Sequence, residues 1–153
     1  MEQIEPTEED GYGALRGHLV GRALACRAKY GPEITWDVFQ AILLDRDFVR
    51  FPTSVRFADE GLLPGEFAHA EPMGPQAADG FTLVIRPCYQ HDEVALVKLA
   101  AYHVPSINYL DIVTHTEAEL FGAALLGLEV DAYYEAVCAL ADGNATPYQS
   151  PNT

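Results

Sequence analysis

Residues 81–87 read FTLVIRP, and this stretch decides the fold class. Phe81, Leu83 and Ile85 alternate with Thr82, Val84 and Arg86, the two-residue period of a strand. Pro87 closes it, because proline has no N–H to give a sheet ladder. Toward the N-terminus, Glu71 to Gly80 holds two prolines and two glycines and reads as a loop. Glu66 to Ala70 reads as a short strand before it, and Leu63-Pro64-Gly65 as a turn. Val55 and Phe57, alternating with Ser54 and Arg56, form a further strand. Three short strands in succession predict an antiparallel meander. A bare small sheet is marginal, so helices must cover one face.

Helical signals flank the strands. Thr7 is placed to cap a helix whose first turn holds Glu8, Glu9 and Asp10, as the positive helix start favours. It should run to Tyr30 and stop at Gly31-Pro32, with Tyr12, Leu15, Leu19, Val20, Ala23 and Leu24 apolar. On another face Gly13, Gly17 and Gly21 recur every four residues. Each costs a helix up to about 1 kcal/mol against alanine. The stripe therefore reads either as a groove for close approach of another helix, in the chain or in a second subunit, or as a weak helix. Thr35 caps a second helix, expected through Val49, with Trp36, Phe39, Ile42 and Leu43 inward. After the strands, Asp92 and Glu93 begin a helix carrying Leu96, Leu99, Ala100 and His103, which Pro105 should stop or kink. Ser106 to Val113 is open between helix and connector. Thr114 and Glu117 form a capping box, repeated one step later by Thr116 and Glu119, and that helix ends at Gly127. Asp131 to Asp142 is the last helix.

The expectation is an α+β domain over 11–143, between an acidic arm (1–10) and a polar tail (144–153). It has two N-terminal helices, the meander, and about three C-terminal helices on one face. An all-helical fold with an irregular middle is the alternative. The 153 residues suit one domain, which buries roughly 70% of its unfolded surface.

Acidic groups number 23 against 9 basic ones, a formal charge of −14. Such a field repels nucleic acid and anionic lipid, keeps a protein dispersed and steers basic partners toward it. Met1 to Asp10 holds five acids and no base, unlike a secretory signal. The apolar run Leu120 to Leu128 is too short to span a bilayer. Three cysteines, Cys26, Cys88 and Cys138, show no disulfide spacing, which fits a reducing cytoplasm.

Residues 88–115 are richest in chemistry: Cys88, His91, Asp92, His103, Asn108, Asp111 and His115. Imidazole and thiolate are good zinc donors, and Cys88 and His91 are spaced for one turn to present both. His103 would join from the next helix, and His115 or His69 from across the fold. Three ligands and a water make a hydrolytic centre, with Asp92, Glu93 or Asp111 as base. There is no HExxH and no paired CxxC, and His103 shares a face with Leu96 and Leu99, as a core histidine would. Alternatively Cys88 is a nucleophile at a helix start, with His91 or His103 as base and Asn108 or Asp111 orienting it. Tyr102, Tyr109, Tyr133 and Tyr134 with Asn108 read as a small-molecule pocket or as core residues with wet tips. A run of acids at Glu2, Glu5, Glu8, Glu9 and Asp10 reads as a solvating arm or a mimic of nucleic acid. Gly-rich phosphate loops, nucleophile elbows and basic-aromatic patches are absent from the sequence.

The functional expectation is a non-enzymatic cytoplasmic interaction or accessory module, binding a basic protein or a second copy of itself through Gly13, Gly17 and Gly21. The alternative is a zinc-type hydrolase on Cys88, His91, His103 and His115.

Overall fold

The computed structural model describes residues 8–145. In chain order these form α1 (Glu8–Tyr30), α2 (Trp36–Leu43), β1 (Thr53–Phe57), β2 (Ala68–Pro72), β3 (Phe81–Ile85), α3 (Glu93–Tyr109), α4 (His115–Leu126) and α5 (Val130–Ala145). Short 3-10 turns lie at Ala77–Asp79, Pro87–Tyr89 and Leu110–Ile112. The α+β class stands. Most of the expected arm and tail lies outside the described residues.

The sheet corrects the meander. Its order is β1-β3-β2, with β1 parallel to β3 and β2 antiparallel to it. The physical reason lies in the strands' composition. β3 is FTLVI, with Phe81, Leu83, Val84 and Ile85 all buried, so it takes the centre, where both faces are covered. β2 is AHAEP, carrying an exposed His69, a carboxylate at Glu71 and a proline at Pro72. Such a strand is suited to an edge. β2 also starts two residues later than the pattern placed it.

Two helix boundaries differ from expectation. α2 stops at Leu43 rather than Val49. The Asp45 carboxylate accepts from Asp47 N (2.9 Å), Lys29 Nζ (2.7 Å) and the Tyr30 hydroxyl (2.7 Å). That local bonding offers the backbone an alternative to the helix. Lys29 and Tyr30 hold the Asp45 carboxyl down at about 2. α3 runs through Pro105 to Tyr109. A proline removes one intrahelical bond, but Val104, Pro105 and Ile107 are all buried, and their burial outweighs it.

α4 packs against both α1 and α3, and α5 packs on α4 and α3. α1 turns Leu19, Ala23 and Cys26 into the core, at i, i+4 and i+7. Burial pushes the Cys26 thiol up to about 12. The Thr114–Glu117 box starts α4: Glu117 Oε1 accepts from Thr114 N (2.6 Å) and Thr114 Oγ1 (2.7 Å). Thr116 already lies inside the helix, so the shifted box does not form. Glu117 is fully buried, and its Oε2 takes Arg16 Nε of α1 at 2.7 Å. Gly127 ends α4 in the left-handed region (φ 69°). Gly122 lies directly under the ring of Tyr133. The Tyr133 hydroxyl donates to Lys98 O (2.7 Å), which ties α5 to α3.

Candidate functional site

α3 is anchored by Asp92, whose side chain accepts from Ala95 N (3.1 Å). From that start Leu96, Leu99, Ala100, Val104 and Ile107 face the core. His103 sits at the border of this stripe, meeting Phe67 (5.5 Å) and Tyr102 (5.6 Å) edge-on. The residue as a whole is half-buried, but Nε2 is sealed off and has no hydrogen-bond partner among the described residues. Loss of hydration lowers its pKa to about 4, and His69 adds a smaller push the same way. The imidazole is therefore neutral at neutral pH. It carries one donor and one acceptor.

His103 lines a cleft of about 730 Å³. One wall is edge strand β2, with His69 and Ala70, and a second is α3, with Tyr102 and Ser106. The segment from Leu110 to His115 contributes Asp111, Thr114 and His115. The fourth wall is the β2–β3 connection at Gly74 to Ala77. That connection is firmly built: Met73 N donates to Gly80 O (2.9 Å) and Gln76 N to the Asp79 carboxylate (3.0 Å). Gly74 lies against Asp79, where a Cβ would clash. The volume falls in the range of small-molecule sites, roughly 300–1,000 Å³. Comparison with protein-family models, with curated proteins and with solved structures finds no match to this chain.

Of the residues singled out from sequence, His69, His103, Asp111 and His115 line this cleft. Cys88 and His91 do not; both are exposed at the 3-10 turn Pro87–Tyr89 and the residues after it. Among the described residues no group of three or more His, Cys, Asp or Glu side chains is placed to hold a metal ion. Asp92 is a helix cap and Glu93 lies in the first turn behind it. Tyr102 lines the cleft, Tyr133 is core, and Tyr134 is exposed.

Asn108 serves as a staple. Its Nδ2 donates to Phe48 O (2.7 Å) and its Oδ1 accepts from Arg50 N (2.7 Å). Gly13, Gly17 and Gly21 face outward, where an added Cβ meets nothing within 4 Å. α4 reaches α1 on another side, so the close-approach groove is not filled by a described part of the chain.

Sequence reading missed Ser106 and Thr114, and the connection that walls the cleft. Hydroxyls in helix turns and caps carry no pattern that separates ligand contact from local bonding.

Proposed function

We propose that the protein is a non-enzymatic binding module that takes a small, uncharged or weakly charged polar molecule into the cleft between β2, α3 and the start of α4. The supporting observation is His103 Nε2, buried without a partner on the cleft's wall. A polar atom left in that state costs about 1–3 kcal/mol, which a ligand's hydrogen bond recovers. Ser106, Thr114 and Asp111 supply further polar contacts, and Tyr102 and Phe81 the apolar ones. Native mass spectrometry of the protein as purified from cells tests this. A retained small molecule in the wild type, lost from His103→Phe while the fold persists, supports the module. Equal retention in both, or none in either under ligand-saturating thermal-shift screening, counts against it.

A metal-dependent hydrolase is the second reading, favoured by three histidines, His69, His103 and His115, lining one cleft with Asp111. It needs those side chains to move together, since no metal-holding set of three stands among the described residues. Elemental analysis of untagged protein, with and without chelator, separates the two readings. The exposed stripe of Gly13, Gly17 and Gly21 beside Leu24, 52% exposed, remains a candidate face for a protein partner or a second copy.

A further inference from the structure

A second depression, of about 440 Å³, opens where α1, the turn after α2 and the end of α3 meet. It gathers Arg22, Arg46 and Arg50, with His18 and Tyr109 beside them. In a chain with 23 acids and 9 bases, carboxylates would ordinarily surround any arginine. Here Asp47 is the one acid among the described residues along the lining. The carboxylate pairs of the described residues engage Arg16, Lys29, Arg56 and Arg86, and none of these three.

The guanidinium groups are held rather than loose. Arg22 Nη2 donates to Asp47 O (2.9 Å), and its Cζ lies 4.9 Å from the centroid of the Phe48 ring. Arg46 Nη1 lies 3.2 Å from Leu43 O and 3.3 Å from Val49 O. Arg50 rests 5.0 Å over the ring of Phe51, and its side chain makes no hydrogen bond to another described residue. Each guanidinium has five N–H donors, so most remain free. The staple from Asn108 fixes the Phe48–Arg50 backbone to α3, so the floor of the depression is held in place. His18 and Tyr109 meet edge-on at 5.8 Å and also line the depression.

We propose that this depression binds the phosphate group of a small molecule, free or esterified. One guanidinium fork satisfies a carboxylate; three arginines lining one concavity offer enough donors for the several acceptor oxygens of a tetrahedral dianion. The net charge of −14 selects against a polyanionic macromolecule, whose repulsion grows with every added phosphate, far more than against one small dianion. The site is separate from the histidine cleft and does not depend on the reading given for it.

The test is titration of the full chain with inorganic phosphate and with glycerol phosphate at constant ionic strength, followed by calorimetry. Saturable one-to-one binding is expected. Arg22→Gln and Arg50→Gln should each weaken it about tenfold or more, as loss of a charge-assisted bond implies. Arg56→Gln, on β1 and paired with Glu71, should leave it unchanged. Arg50→Gln removes no side-chain hydrogen bond to another described residue, so it is the variant safest for the fold. Tighter binding of glycerol phosphate identifies an ester as the ligand; equal or weaker binding identifies free phosphate. Absence of saturable binding overturns the proposal, and so does binding that Arg50→Gln leaves intact.

Discussion

His103 is a base kept from its proton, and this has a measurable consequence. Its folded pKa of about 4 lies below the ordinary 6.5, so between those values the unfolded chain binds more protons than the folded one. Stability must then fall as pH drops through that window. Replacing His103 with Phe removes the term. Urea unfolding at pH 7 and pH 4 should show the wild type losing on the order of 2–3 kcal/mol more than the variant. Equal losses would mean the ring takes up its proton easily. At pH 7 the variant should match or exceed the wild type, because an unsatisfied buried nitrogen is gone. The sequence displayed His103 and His115 as candidates, yet their cleft partners Ser106 and Thr114 look like any capping hydroxyl. The arginines were still less visible. Arg46 stands between Asp45 and Asp47 in the sequence, and in the structure α2 ends before it, in a segment whose Asp47 carbonyl meets Arg22.

At the scale of single elements, the same substitution has opposite signs in two helices. Gly17 stands mid-helix in α1 with open space around it. Gly17→Ala should therefore stabilise by roughly 0.5–1 kcal/mol, since alanine restricts the unfolded chain and favours the helix. Thermal unfolding would show a small rise; a fall would mean that another chain packs there. Gly122 in α4 lies beneath the buried Tyr133 ring, and Gly122→Ala should destabilise by about 1–3 kcal/mol through overpacking. Glu117→Ala removes the Glu117 half of the α4 capping box and the Arg16 pair together. Arg16 is itself 43% exposed, so the ion pair is partly screened, and a loss of about 2 kcal/mol in denaturant unfolding is expected. The α4 start was legible because a capping box is a local code. The full length of α3 was not, because Pro105 obeys its local rule only until burial on both sides of it is counted. The strand order was not legible: chain order alone points to a meander, and the edge character of AHAEP shows only once the strand is known to run from Ala68 to Pro72.

For the whole molecule, charge imbalance is the dominant long-range term. With 23 acids and 9 bases the folded chain compresses its own repulsion. Raising ionic strength from about 0.01 M to about 0.15 M shortens the screening length from about 30 Å to about 8 Å. Melting temperature should rise over that range, even though pairs such as Lys29–Asp45 weaken. A fall would show that local ion pairs outweigh the global field. No helix among the described residues is long and apolar enough to cross a membrane.

The order β1-β3-β2 also sets a sequence of assembly in time. β2 and β3 are joined by the short connection 73–80, whereas β1 must wait for residues 58–80 to fold back before it reaches β3. Closing the shorter loop costs less chain entropy, so the hairpin is the early partner and β1 the late one. The last strand to dock is the first to leave. Amide hydrogens of Thr53 to Phe57 should thus exchange with deuterium through a partial opening that leaves the β2–β3 ladder protected, making this small sheet two kinetic units rather than one.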